Sequence, residues 1–300
     1  MSDYFDEYAK HIIDTEFYAQ QMEEEFTVFL EELKDKIKSI MHRHEKIPSK
    51  KVYNEVKKEC EEIIDEQIDD YFDELEEKQQ EQSEKERKFL DKLFGAAFGI
   101  ALADSIIKNR KILMLPYNRT DTNETFRENL KQNMKKSVKT PLISAYVFGS
   151  TASSTEESFE SAVSRINKNG KSDIHTSVTS VQRNTQKVLL LGNKKIKYQY
   201  ISMLDEKTCV SCGSYSGNVY DSLEEAPEIP VHNRCRCYYL PVKEKTDEPS
   251  YEDWLKSQPD SVAYKILGPS RYALYKAGIN ISKFTSEGHT LTLEELYKNI

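Results

Sequence analysis

What this 300-residue sequence lacks narrows it first. No stretch approaches the roughly eighteen consecutive apolar residues that a membrane-spanning helix needs. The best apolar run, Leu93 to Ala103, is short and is closed by Asp104, so a buried helix is expected there and no membrane partner. Met1 is followed by Asp3, Asp6 and Glu7 rather than by an apolar run, so no export signal is expected. There is no Gly-rich phosphate loop, no His-Glu-x-x-His and no His-x-Glu ahead of a Pro-Cys-x-x-Cys, which removes the phosphate-loop, zinc-protease and zinc-deaminase patterns. Tryptophan occurs once, at Trp254, and cysteine five times, four of them between residues 209 and 237.

Charge, by contrast, is abundant and uneven. Charged residues make up 31% of the chain and hydrophobic ones 38%, which allows a modest core under a very wet surface. Residues 1–90 carry 27 acidic and 14 basic side chains, residues 91–245 carry 16 and 23, and residues 246–300 carry 8 and 6. Such asymmetry points to different partners for different parts. It also divides the chain into an acidic arm (1–90), a core (91–245) and a tail (246–300).

Breakers are nearly missing from residues 3–45, where Ile12, Phe17, Met22, Phe26, Leu30, Leu33, Ile37 and Ile40 recur at mostly helical spacing. Ile47-Pro48-Ser49 interrupts the pattern, with Ser49 placed to cap a second helix carrying Val52, Val56, Cys60, Ile63, Ile64, Ile68, Tyr71, Phe72 and Leu75. Two long helices in an antiparallel hairpin are expected, the second running on through the Glu-, Lys- and Gln-rich stretch to Phe89 and beyond. Cys60 falls on the apolar stripe and belongs to the core. Further helices are expected from Asp121 or Thr122 to just before Pro141, from a Ser154–Glu157 capping box to Gly170, and from about Asp173 to Gly192. Lys195 to Met203 alternates and is rich in Ile and Tyr, so it predicts a strand, with short strands at about 218–220 and 236–240. The fold class is α+β, mostly α: a long N-terminal helical hairpin, a helical core and a small β-knuckle.

The knuckle is where the cysteines sit. Cys209-x2-Cys212 is followed about twenty residues later by His232-x2-Cys235-x-Cys237. Zinc takes four thiolate or imidazole ligands, and a Cys-x2-Cys turn aims two sulfurs at one point. Three candidates then compete for two remaining places. If residues 234–239 are extended, Cys235 and Cys237 share one face, which favours two cysteines from each half. Cys209, Cys212, His232 and Cys235, with Cys237 spare, is equally sensible. Disulfide pairing, thiol redox chemistry and no joint role are the competing explanations; the first needs an oxidising compartment and the second a βαβ context, which is not visible here.

The same stretch resembles the signature of MuF-type phage head morphogenesis proteins, the minor capsid proteins of tailed phages. That pattern is an aromatic-rich strand, Leu-Asp-x-x-Thr-Cys-x-x-Cys, a Gly-x-x-aromatic turn and Pro-x-His-Pro-x-Cys-Arg-Cys. It falls here on Leu204, Asp205, Thr208, Cys209, Cys212, Gly217, Tyr220, Pro230, His232, Cys235, Arg236 and Cys237. Asn233 replaces the family's proline, and His175-Thr176-Ser177 stands where an Arg-Thr-Glu-like triplet is usual, so no role is carried over to those three. Trp254, Leu255, Ile266, Leu267, Gly268 and Arg271 also look like the end of such proteins. The resemblance covers about residues 90–300.

It implies a minor capsid protein acting in procapsid assembly at or near the portal, located in the virion head and in the host cytoplasm during assembly. The implied partners are portal protein and major capsid or scaffold protein. Lys108, Arg110, Lys111, Arg119, Arg127, Lys131, Lys135, Lys136 and Lys139 form a basic run opposed only by Asp121, Glu124 and Glu128, which offers non-specific DNA contact against the plainer account of a solvated helix face. The enzymatic alternative is a metal-dependent nuclease with His232 as base. No catalytic residue is assigned; a structural zinc is expected on four of Cys209, Cys212, His232, Cys235 and Cys237.

Overall fold

The computed structural model describes residues 2–98, 121–190, 196–286 and 289–299. Helix accounts for 72% of it, and the class is α+β, mostly α. Helix α1 (Ser2–Arg43) and helix α2 (Lys50–Phe98) form the long pair expected from the two apolar stripes. Ser49 Oγ accepts from Val52 N–H at 3.3 Å and so starts α2 where the sequence placed the cap. Cys60 is fully buried in the α2 stripe, far from the other cysteines in sequence, and burial pushes its thiol up to about 12. Phe17 departs from expectation: it is 64% exposed, because the buried stripe on α1 runs through Tyr8, Ile12, Ala19, Met22 and Phe26 instead.

Helix α3 (Asn123–Phe148) begins on a capping box between Thr122 and Thr125. It does not stop before Pro141. Proline costs a helix a backbone hydrogen bond and about 3 kcal/mol, but Val138, Pro141, Leu142 and Ala145 are all buried, and that burial carries the helix on to Gly149, whose φ of 66° ends it. Helix α4 (Ala152–Leu190) is likewise one element where two were expected. Gly170 is no stop signal: a Cβ there would overlap the Phe26 ring, so the glycine admits α1 into close contact. The start at Ala152 also puts Ser154 inside the first turn rather than at the cap.

The four helices pack in sequence round a bundle, with α4 returning to α1. One core joins Phe26, Leu30 and Ile37 of α1 and Ile64, Ile68 and Phe72 of α2 to Phe126 and Met134 of α3 and to Phe159 and Val163 of α4. The stretch expected as an acidic arm thus forms two sides of that bundle. Its acids also answer the basic run: Arg127 pairs with Asp69, Asp73 and Glu76, Lys131 with Asp69, and Lys135 with Asp65. Lys108, Arg110, Lys111 and Arg119 lie outside the described residues.

Beyond the bundle, strands β1 (Lys197–Ile201), β2 (Val219–Tyr220) and β3 (Tyr238–Val242) form an antiparallel sheet in the order β2-β1-β3. The third strand starts two residues later than expected. Tyr200 faces Tyr239 and Tyr198 faces Pro241 across β1 and β3. The ends of α1 and α2 support this sheet: Tyr4 and Tyr8 hydroxyls donate to the Pro241 and Tyr239 carbonyls at 2.9 and 3.0 Å. Helix α5 (Val210–Tyr215) fills the connection from β1 to β2.

The tail holds α6 (Tyr251–Ser257), α7 (Asp260–Lys276), a 3-10 turn (Ile281–Phe284), the two-residue strands β4 (Thr285–Ser286) and β5 (His289–Thr290), and α8 (Leu293–Asn299). Gly268, with φ of 71°, kinks α7 ahead of Pro269, and Gly278, with φ of 95°, follows its end. Thr292 and Glu295 exchange capping bonds at the start of α8. Trp254 packs within the tail against Tyr251; it is Tyr251 that pins the tail to the knuckle. Among the described residues no helix is long and apolar enough to cross a membrane.

Candidate metal centre

The knuckle begins with Asp205. Its Oδ1 accepts from Lys207 N–H at 3.0 Å, and Thr208 Oγ1 donates to the Met203 carbonyl at 2.6 Å, so the turn into the first cysteine is fixed by its own side chains. Cys209 then caps α5, its sulfur accepting from Cys212 N–H at 3.4 Å. That cap turns both sulfurs toward the same space. Gly213 comes next because the Tyr251 ring lies where a Cβ would be. The Tyr251 hydroxyl donates to the carbonyls of Asp205 and Thr208, each at 3.2 Å, and so clamps the turn from behind.

The second half arrives differently from the sequence expectation. Residues 232–237 are a turn and an irregular segment, not a strand; Arg234 has φ of 58°. Alternation along a strand therefore cannot explain why Cys235 and Cys237 point the same way. The backbone is held instead by α4. Thr176 Oγ1 accepts from Arg234 N–H at 2.9 Å, Asn233 donates to Asp173 at 3.0 Å, and Arg183 donates to the carbonyls of Cys235 and of Cys237, the latter at 3.0 Å. Arg234 reaches Glu23 of α1 at 2.7 Å. Arg236 closes the loop on the first half: its two terminal nitrogens each donate to one oxygen of Asp205, at 2.6 Å. This pairing holds the Asp205 carboxyl below its ordinary range.

All five expected donors meet. They form two overlapping groups, Cys209–Cys212–His232 and Cys212–Cys235–Cys237, each with its donor atoms within 4.8 Å of one another. Cys212 belongs to both. His232 Nε2 lies 3.2 Å from Cys209 Sγ and 3.3 Å from Cys212 Sγ, and Cys212 Sγ lies 3.9 Å from Cys235 Sγ. A tetrahedral ion with metal–sulfur bonds near 2.3 Å and metal–nitrogen bonds near 2.0 Å sets ligand separations of about 3.3–3.8 Å. The three contacts lie in or next to that range, while no four of the five donors are mutually within 4.8 Å, so an ion would draw the two groups closer together. All five cysteines are free thiols.

The protonation pattern agrees with the chemistry of that donor set. Cys212 beside it, and then His232, bring the Cys209 thiol down to about 4. Contact with Cys209, then Cys235 and Cys237, pushes Cys212 up. Cys235 is lowered by Cys212, and burial raises Cys237. The thiols thus shift in opposite directions, since adjacent buried thiolates repel. A cation among them removes that conflict and lets every ligand ionise. The Nδ1–H of His232 donates to the Asn233 carbonyl at 2.7 Å and so turns Nε2 toward the sulfurs, the nitrogen that would give up its proton to take an ion. The Cys209 contact lifts this imidazole to about 9.

Sequence patterning found the donors but missed Asp173, Thr176, Arg183 and Tyr251, which position them. A signal was present. Thr176, Ser180, Arg183 and Gln186 repeat at helical spacing on a face of α4 that is largely buried, where aliphatic residues are usual. No known family model, no curated protein and no solved structure matches this chain.

Proposed function

We propose that the cluster holds one structural zinc, and that the chain is a minor head morphogenesis protein of a tailed phage. In this reading it acts in procapsid assembly at or near the portal. The observation that carries the metal is the convergence on Cys212 of thiol and imidazole donors from two segments, at contacts of 3.3 and 3.9 Å. Cys209, Cys212, His232 and Cys235 are the four ligands, because the three short contacts link them in a chain. Cys237 stays a buried thiol behind them.

The phage assignment is supported by how the matched motif works here. Asp205, Thr208 and Arg236 are not ligands, yet each carries a bond that shapes the knuckle. The resemblance therefore extends to residues with a demonstrable local task. A clasp suits the arrangement better than a reaction centre: two of the four proposed ligands are buried and His232 is oriented by a backbone carbonyl, whereas a catalytic zinc keeps one position open. Portal protein, with major capsid or scaffold protein, is the partner class this reading names.

Two measurements test it. Metal analysis of the purified chain is expected to give one zinc per molecule, lost in Cys212→Ser and His232→Ala but kept in Cys237→Ser. Equal loss in Cys237→Ser overturns the ligand set, and a metal-free folded protein overturns the site. Co-purification with a tailed-phage portal protein tests the assembly role; DNA cleavage abolished by His232→Ala in a folded protein would establish the nuclease instead.

A further inference from the structure

The ion pairs of the bundle leave a remainder. On the side of α3 that faces α2, Arg127, Lys131 and Lys135 each have an acidic partner. On the side that faces α4, the exposed Lys136 has none, nor does Arg165 across from it on α4. Both line a groove of about 600 Å³ that runs between α3 and α4. Its floor is apolar, with Phe126, Leu130 and Ile166, and its walls carry the neutral donors Asn129, Asn133 and Asn169. Asp121 and Asp173 line its other end. From Arg165 to Asp173 is about 12 Å along α4 at 1.5 Å per residue. The groove is thus cationic at one end, neutral in the middle and acidic at the other.

The opposite side of the bundle, formed by α1 and α2, carries the matching relief. Glu66, Asp70, Glu74, Glu77 and Glu81 are spaced by three or four residues, so they form one exposed ridge on α2. Among the described residues no cation lies within ion-pair distance of any of them. Further along the same helix stand Lys85 and Lys88, roughly 12 Å beyond Glu77 and Glu81 on the same rise per residue, with Lys88 3.6 Å from Glu84 and Lys85 in no ion pair among the described residues. The ridge runs from acidic to basic as the groove runs from basic to acidic, over about 12 Å on its α4 wall and about 22 Å from Lys136 to Asp121 on its α3 wall. A helix ridge laid in a groove between two helices is an ordinary packing mode.

We infer that the α3–α4 groove of one molecule receives the α2 ridge of a second copy of this chain, acids over Lys136 and Arg165, lysines over Asp121 and Asp173. Because the two surfaces lie on opposite sides of the bundle, the contact is head-to-tail, and it propagates into a ring or an open chain rather than closing as a dimer. The orientation is self-consistent: in this pose the incoming α2 runs antiparallel to α3, as the molecule's own α2 does. Burial raises Asp173 to about 6, which is the response of a carboxylate short of a positive neighbour. A polyanion such as DNA is the less suitable occupant, since two carboxylates stand at one end of the groove. The inference is independent of the zinc.

Sedimentation velocity on the full zinc-loaded chain tests it. Concentration-dependent association is expected at about 50 mM salt and loss of it at about 500 mM. The double variant Lys136→Glu/Arg165→Glu and the double variant Glu74→Lys/Glu77→Lys should each remain monomeric, with unchanged helicity and zinc content. Mixed together they should associate, since each supplies the surface the other lacks. A monomer at low salt, or association that survives either charge reversal, overturns the proposal. So does a mixture that stays monomeric. If the wild type is monomeric but shifts the anisotropy of a labelled DNA duplex, and Lys136→Glu/Arg165→Glu does not, the groove serves nucleic acid and not a second copy.

Discussion

The bundle and the knuckle solve the same problem with different materials. In the bundle, long helices bury one stripe each, and the core is aliphatic and phenylalanine-rich, from Leu30 and Ile37 through Ile64 to Val163. Each turn of helix adds its own contact, so order there is redundant. The knuckle has a sheet of three short strands, a six-residue helix and a core of tyrosines and cysteines. Its backbone is held by single bonds from outside: Arg183 on two carbonyls, Thr176 on one amide, Tyr251 on two carbonyls. Redundancy is missing, and an ion among the sulfurs would supply the central restraint. The difference predicts which half fails first and how.

Removing the metal is the largest perturbation. Binding energy at a structural zinc site is folding energy, of order ~10 kcal/mol in small zinc peptides. A strong chelator should therefore abolish near-UV signal from Tyr200, Tyr238 and Tyr239 and amide protection across 197–242, while far-UV helicity stays close to its starting value. Loss of helicity in step with the tyrosine signal breaks the contrast, because the two regions would then be one cooperative unit. Cys212→Ser should act like the chelator, since Cys212 belongs to both donor groups.

The converse perturbation belongs to the bundle. Leu30 is fully buried in the core. Truncating it to alanine removes transfer energy and leaves a cavity, for about 2–5 kcal/mol. The expected result in chemical denaturation is a lower midpoint for the helical transition with zinc content unchanged. Zinc loss in Leu30→Ala at native conditions would mean that the knuckle depends on the bundle more tightly than its few bonds to α4 suggest.

How legible each region was in the sequence follows from the same contrast. The bundle repeats its message every three or four residues, so both hairpin helices and the Ser49 cap could be read directly. Errors came where one residue carries two meanings. Gly170 and Pro141 are helix breakers by propensity, yet Gly170 is a close-approach site for Phe26, and the burial of Val138, Leu142 and Ala145 overrides Pro141. In the knuckle the ligand types were legible because chemistry restricts them to Cys and His. Their geometry was not: an extended 234–239 was a reasonable extrapolation, and the left-handed Arg234 and the α4 contacts that set the true path are long-range. Exposure of Phe17 was illegible for the same reason, since local spacing cannot show which side of a stripe meets a neighbour.

The smallest predicted effect separates the clasp from the metal. Asp205 and Arg236 join the two halves of the knuckle through two charge-assisted hydrogen bonds, and both are partly exposed. Such bonds are worth about 1.5–3 kcal/mol when formed to charged groups, less here for the solvent that reaches them. Asp205→Asn should lower the midpoint of the tyrosine transition at pH 7 by that order while zinc content stays at one per chain. The pH dependence has a definite sign. Arg236 depresses the folded-state value of Asp205, so the stabilisation is fully present above the unfolded value near 3.9 and is lost as pH falls through the lower, folded one. Competition of protons for the sulfurs and for His232 acts on both proteins alike. Wild type and Asp205→Asn should therefore stay apart down to about pH 4 and converge below it. Convergence already near pH 5 would mean that the knuckle comes apart when its metal leaves, with the Asp205–Arg236 pair unable to hold the two segments together by itself.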